Sequence, residues 1–163
     1  MSQAATGGCL CGDVRFVVNA PLGEIIICHC SLCRGWSGSA YGAESPVRRE
    51  GLELVEEKGL AWHVDRNERN RGFCRSCGSG LFWSGEGDDE MIYVQAGALD
   101  EPTGLRIQGH MMVASKADWE DLSAAPPLYA ADWDGPLFDA GQIYYVCIVR
   151  AQDLRHAGGR NSR

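Results

Sequence analysis

Seven of the chain's eight cysteines fall in three tight clusters, Cys9-x-Cys11, Cys28-x-Cys30-x-x-Cys33 and Cys74-x-x-Cys77. Thiolates so closely spaced are how a chain grips soft metal ions, and zinc is the first expectation. A structural zinc is closed by four thiolates, so seven ligands divide into one saturated site and one three-thiolate site with an open position. Any fold for this sequence must therefore gather distant segments around metal.

The grouping follows from local geometry. In a strand, residues two apart share a face, so Cys9 and Cys11 are expected to offer two sulfurs to one ion. Cys74 and Cys77 have zinc-knuckle spacing, and Gly12 and Gly78, each directly after a cluster, supply the backbone freedom the turns need. These four form a structural site, while Cys28, Cys30 and Cys33 wrap one face of a second zinc. His29 is expected to point away from that ion and to support it from behind. Cys147 reads as an ordinary buried thiol.

The rest of the sequence is turn-rich, with 21 glycines among 163 residues. Short β-branched and aromatic runs at 14–19, 24–28, 51–56, 60–64, 81–84, 91–96, 105–113 and 142–149 read as strands, and only 115–122 suggests a helical turn. The expected fold class is mainly β, with antiparallel sheets around zinc-thiolate sites. Domain limits are expected at 1–130, followed by an extension over 131–163 with one strand and a frayed tail. The segment 86–90 reads as a solvated acidic hairpin tip.

A formal charge of −7 argues against nucleic acid or anionic membrane as partners. No apolar run approaches the roughly 20 residues of a membrane span, and the first residues lack a leader's pattern, so a reducing cytoplasmic setting is expected rather than a disulfide-stapled scaffold.

The motifs Gly8-Cys-Leu-Cys-Gly12, Cys28-His-Cys-Ser-Leu-Cys-Arg34, Phe73-Cys-Arg-Ser-Cys-Gly-Ser79, Gly97-Ala-Leu-Asp-Glu-Pro102, and His110 followed by Ser115-Lys-Ala-Asp-Trp119 occur in this order. With them the chain resembles the glutathione-dependent formaldehyde-activating enzyme family, which includes centromere protein V-like proteins. The resemblance implies a β-tent fold, one zinc on four cysteines and another on three. It also implies condensation of glutathione with formaldehyde to S-(hydroxymethyl)glutathione, a carbon-sulfur lyase reaction in reverse. The thiol must find local cations on an acidic protein; Arg34 and Lys116 are candidates, with His110 as a further substrate-binding candidate. The alternative is a non-catalytic zinc protein that binds or carries glutathione or its adduct. Gly35-Trp36 stands where many relatives place a basic residue, which bears on substrate identity.

Overall fold

The structure, a computed structural model, describes residues 4–85 and 90–122. Residues 86–89 of the acidic tip, the strand expected at 142–149, Cys147 and the whole 131–163 extension lie outside the described residues.

Among the described residues there are ten strands: β1 Ala5–Gly8, β2 Arg15–Val18, β3 Ile25–Cys28, β4 Gly42–Arg48, β5 Leu52–Glu56, β6 Leu60–Val64, β7 Asn70–Cys74, β8 Gly80–Ser84, β9 Met91–Gln95 and β10 Ile107–Met111. One α-helix among them, α1, spans Ser31–Ser37. The fold is mainly β, as the sequence predicts. Three strands form a sheet in the order β1-β2-β5, and seven form another in the order β10-β3-β4-β9-β8-β7-β6. Among the described residues every strand pairing is antiparallel except β10 on β3, which is parallel and makes the larger sheet mixed.

The sheets meet through apolar faces. Val14, Phe16 and Val18 alternate inward from the segment of β2, against Leu81, Phe82, Ile92 and Val94 from β8 and β9. Phe16 and Phe82 make an edge-to-face pair with centroids 5.1 Å apart, joining the two sheets.

The helical turn expected over 115–122 is displaced: a 3-10 turn covers Val113–Ser115, and a separate turn at 118–119 is closed by the Glu120 N–H on the Ala117 carbonyl at 3.2 Å. The helix that does form, α1, holds Gly35 and only seven residues, so propensity hides it. Its ends carry the signal instead: the Cys30 sulfur accepts the Cys33 N–H at 3.4 Å as an N-cap, and Gly38 closes the C-terminus.

Candidate metal centres

Cys9 and Cys11 lie not in a strand but on the reversal between β1 and β2. There the Cys9 N–H donates to the Val14 carbonyl at 3.0 Å and the Gly12 N–H to the Cys9 carbonyl at 3.3 Å. A matching reversal joins β7 to β8, with the Gly78 N–H on the Cys74 carbonyl at 2.8 Å. Gly12 and Gly78 have φ of 85° and 80°, the left-handed conformation for which glycine is suited.

These two loop tips bring four sulfurs together. Cys9 Sγ is 3.5 Å from Cys11 Sγ and Cys11 Sγ is 3.7 Å from Cys74 Sγ, and all four, Cys77 included, lie within 4.8 Å of one another. A zinc with Zn–S bonds near 2.3 Å needs a tetrahedral edge of about 3.8 Å, so the donor set fits that ion. The Val14 N–H points at Cys9 Sγ from 3.3 Å. Ser79 Oγ accepts the Leu10 N–H at 3.2 Å and lies 3.2 Å from Cys77 Sγ, so it links the two loops. The Ser79 hydroxyl and N–H hold Cys77 down at about 5.

The second cluster is built from one continuous stretch. Cys28 ends β3, Cys30 caps α1 and Cys33 sits in its first turn; their sulfurs lie within 4.8 Å of one another and all three residues are buried. Hydrogen bonds from Cys28 and Cys33 push the Cys30 thiol well below its ordinary value, while the same contacts push Cys28 up. Thiols that share protons so readily suit a cation that displaces those protons. Both clusters can thus hold a metal ion, and zinc would be bound by Cys9, Cys11, Cys74 and Cys77 at one and by Cys28, Cys30 and Cys33 at the other.

His29 is fully buried with both ring nitrogens engaged. Nδ1 is 3.0 Å from Glu120 Oε2, and Nε2 is 2.9 Å from His110 Nδ1. Burial, with the neighbouring His29, lowers the His110 pKa. Arg34 Nε donates to the His29 carbonyl at 3.3 Å, and Lys116 Nζ to the Glu120 carbonyl at 2.6 Å. Of the three substrate-binding candidates, His110 meets the His29 imidazole directly, Arg34 holds the His29 carbonyl, and Lys116 holds the carbonyl of Glu120, whose carboxylate bonds that imidazole. Beside Cys33 lie residues that sequence reasoning missed. Arg71 Nη1 and Nη2 lie 4.0 and 3.9 Å from Cys33 Sγ, its Nε donates to Asp65 Oδ2 at 3.1 Å, and Nη1 is 3.9 Å from Glu44 Oε1. Burial raises the Glu44 pKa, against the pull of Arg71.

The glutathione-dependent formaldehyde-activating enzyme profile matches residues 4–115, which include all seven cysteines of the two clusters. The chain belongs to that family. A crystal structure of a Rhodobacter sphaeroides protein is similar in fold, with a TM-score of 0.51 at 24% identity, covering 59% of this chain and 88% of that one. In this family member Lys116 and Glu120 fall just beyond the matched residues.

A cleft of ≈ 560 Å³ is lined by Cys9, Leu10 and Ser79 of the four-cysteine region together with Trp36, Tyr41 and Ala43. None of the three cysteines of the second cluster lines it. Trp36 Nε1 is buried there without a hydrogen-bond partner among the described residues. No helix among the described residues is long and apolar enough to cross a membrane.

Proposed function

We propose that the chain joins glutathione, or a closely related thiol, to formaldehyde, and cleaves the same carbon-sulfur bond of S-(hydroxymethyl)glutathione in reverse, at the Cys28-Cys30-Cys33 cluster. The observation that carries this reading is a buried set of three sulfurs whose neighbouring imidazole has both nitrogens engaged elsewhere. The described residues thus supply three ligands where a closed site has four. Family membership supports the identities of thiol and aldehyde.

Zinc bound there would favour thiolate over thiol, and thiolate is the form that attacks a carbonyl. In the addition, sulfur bonds to the aldehyde carbon, the carbonyl π bond opens, and the proton lost by sulfur ends on oxygen without any change of oxidation state. The chain's own groups hold the participants. Arg34 and Lys116 are the proposed cations for the carboxylates of the thiol, and His110 the proposed polar contact beside them. Cys9, Cys11, Cys74 and Cys77 brace the fold. The catalytic unit is proposed to span residues 1–130, and its setting to be the cytoplasm, where thiols stay reduced.

Exchange spectroscopy with isotopically labelled formaldehyde and glutathione tests this. Substoichiometric zinc-loaded protein should raise the interconversion rate above its unaided value, and Cys30→Ser should return it to background. A wild-type protein that binds glutathione yet leaves the rate unchanged is a carrier, and the lyase reading fails.

A further inference from the structure

Arg71 is 2% exposed, yet no step above uses it. A buried guanidinium is costly unless it is paired, and this one is enclosed on all sides by groups chosen for a cation. Asp65 and Glu44 face it as carboxylates, the Trp36 and Trp83 rings cover it with centroids 5.9 Å away, and Cys33 Sγ lies 3.9 Å from Nη2. The placement is fixed by pairing across the sheet: Arg71 lies opposite Trp83 on β8, and its neighbour strand β6 sets His63 opposite on the other side.

The charge count gives this cation work to do. Three thiolates around a divalent ion leave a net charge of −1, and a fourth thiolate from solution would make it −2. In a buried site that second step is opposed by repulsion unless a positive charge stands close by. We propose that Arg71 is a positioning residue for the three-cysteine centre, its fixed charge beside Cys33 offsetting the thiolate excess so that the centre accepts an anionic sulfur ligand. The proposal rests on the reading that metal and thiol meet at Cys28, Cys30 and Cys33. It also assigns an opposing part to the carboxylates of Asp65, 3.1 Å from the guanidinium, and Glu44, 3.9 Å from it. The Asp65 carboxylate draws on the same guanidinium, while its Oδ1 accepts the N–H groups of Asn67 at 2.9 Å and Arg69 at 3.2 Å, contacts that an asparagine oxygen keeps.

Cobalt(II) in place of zinc gives a spectroscopic handle, because sulfur-to-cobalt charge-transfer absorption counts thiolate ligands. Metal affinity against a competing chelator, and glutathione affinity from the added charge-transfer band, are to be measured on the full chain carrying Arg71→Met, Arg71→Lys and Asp65→Asn. Arg71→Met should weaken glutathione binding by about 10- to 100-fold, the range for groups that tune metal ligands from behind. Arg71→Lys should recover part of the loss, since it keeps the charge but not the planar fork. Asp65→Asn should tighten glutathione binding. That gain is one a merely structural role does not produce, so it decides the matter even if Arg71→Met fails to fold. Unchanged or weaker glutathione binding in Asp65→Asn overturns the proposal, as does wild-type affinity in a folded, cobalt-loaded Arg71→Met. A wild-type chain that takes no cobalt at the three-cysteine centre, or takes it and adds no thiol, instead overturns the reading beneath it.

Discussion

The two sulfur centres solve the same problem of anionic charge in opposite ways. The four-cysteine centre sits at loop tips with Cys11 exposed, and meets its charge with backbone N–H groups and the Ser79 hydroxyl. The three-cysteine centre is buried and has a guanidinium at Cys33. On the proposed reading, dipoles suffice where four sulfurs close the site and water is near, whereas a buried centre that is to gain a further anion needs a full charge. Connectivity differs as well. The first centre ties the β1-β2 tip to the β7-β8 tip and so links the two sheets, whereas the second lies within residues 28–33.

The largest effect that can break this comparison is on stability. Cys74→Ser opens the link between sheets and should cost several kcal/mol in zinc-loaded protein, because binding at a structural zinc is worth on the order of 10 kcal/mol in small domains. Cys30→Ser should cost only about 1 kcal/mol. Serine is a favoured N-cap, so the start of α1 keeps its acceptor for the Cys33 N–H. Thermal unfolding of both variants checks this, and equal losses would mean that both centres are braces.

The same contrast explains what was legible in the sequence. Cysteine spacing alone separates the two centres, since ligands act through residue type and interval. Strands with β-branched and aromatic runs, such as β6 and β9, are legible because their side chains fill a sheet face. The missed strands are informative. β1 is Ala-Thr-Gly-Gly and carries no apolar alternation. β4 holds Glu44 and Pro46, and β7 holds Arg71 and Gly72, residues that argue against a buried strand until the partner across the sheet is known. Glu44 and Arg71 meet only in three dimensions, so two of the residues that hid these strands lie beside the three-cysteine centre. The parallel run of β10 on β3 is likewise a long-range choice that no local pattern encodes.

A middle-sized effect sharpens the comparison at two close approaches. A Cβ at Gly59 would lie 2.8 Å from Cys74 Sγ and 2.9 Å from Asp13 Cβ, whereas one at Gly42 would lie 3.1 Å from Glu44 Oε1 and 3.2 Å from Cys33 Cβ. Gly59→Ala must displace a ligand of the linking centre and should cost about 1–3 kcal/mol, as overpacking does. Gly42→Ala meets gentler contacts and should cost less, about 1 kcal/mol. Denaturant unfolding with zinc counted per chain tests the pair; a Gly59→Ala protein as stable as wild type would show that the linking centre yields easily.

The smallest effect lies at the base of the β1-β2 hairpin that carries Cys9 and Cys11. Asp100 accepts from Thr6 Oγ1 at 2.6 Å and forms an ion pair with Arg15, while its own N–H donates to the Thr6 carbonyl at 2.8 Å. The hydrogen bond from Arg15, followed by that from Thr6, holds the Asp100 carboxyl below its usual value. A carboxylate depressed on folding adds stability above its unfolded pKa of about 4, and that stability is lost as pH falls through the lower folded value. Both side chains are well exposed, 39% for Arg15 and 44% for Asp100, so solvent screening limits the gain to a fraction of a kcal/mol. Asp100→Asn should therefore be slightly less stable than wild type near neutrality, with the two unfolding midpoints converging as pH falls below about 4 and in high salt at any pH. The backbone bond to Thr6 survives the substitution, so a difference that persists in acid would place the anchoring of this hairpin in packing rather than charge.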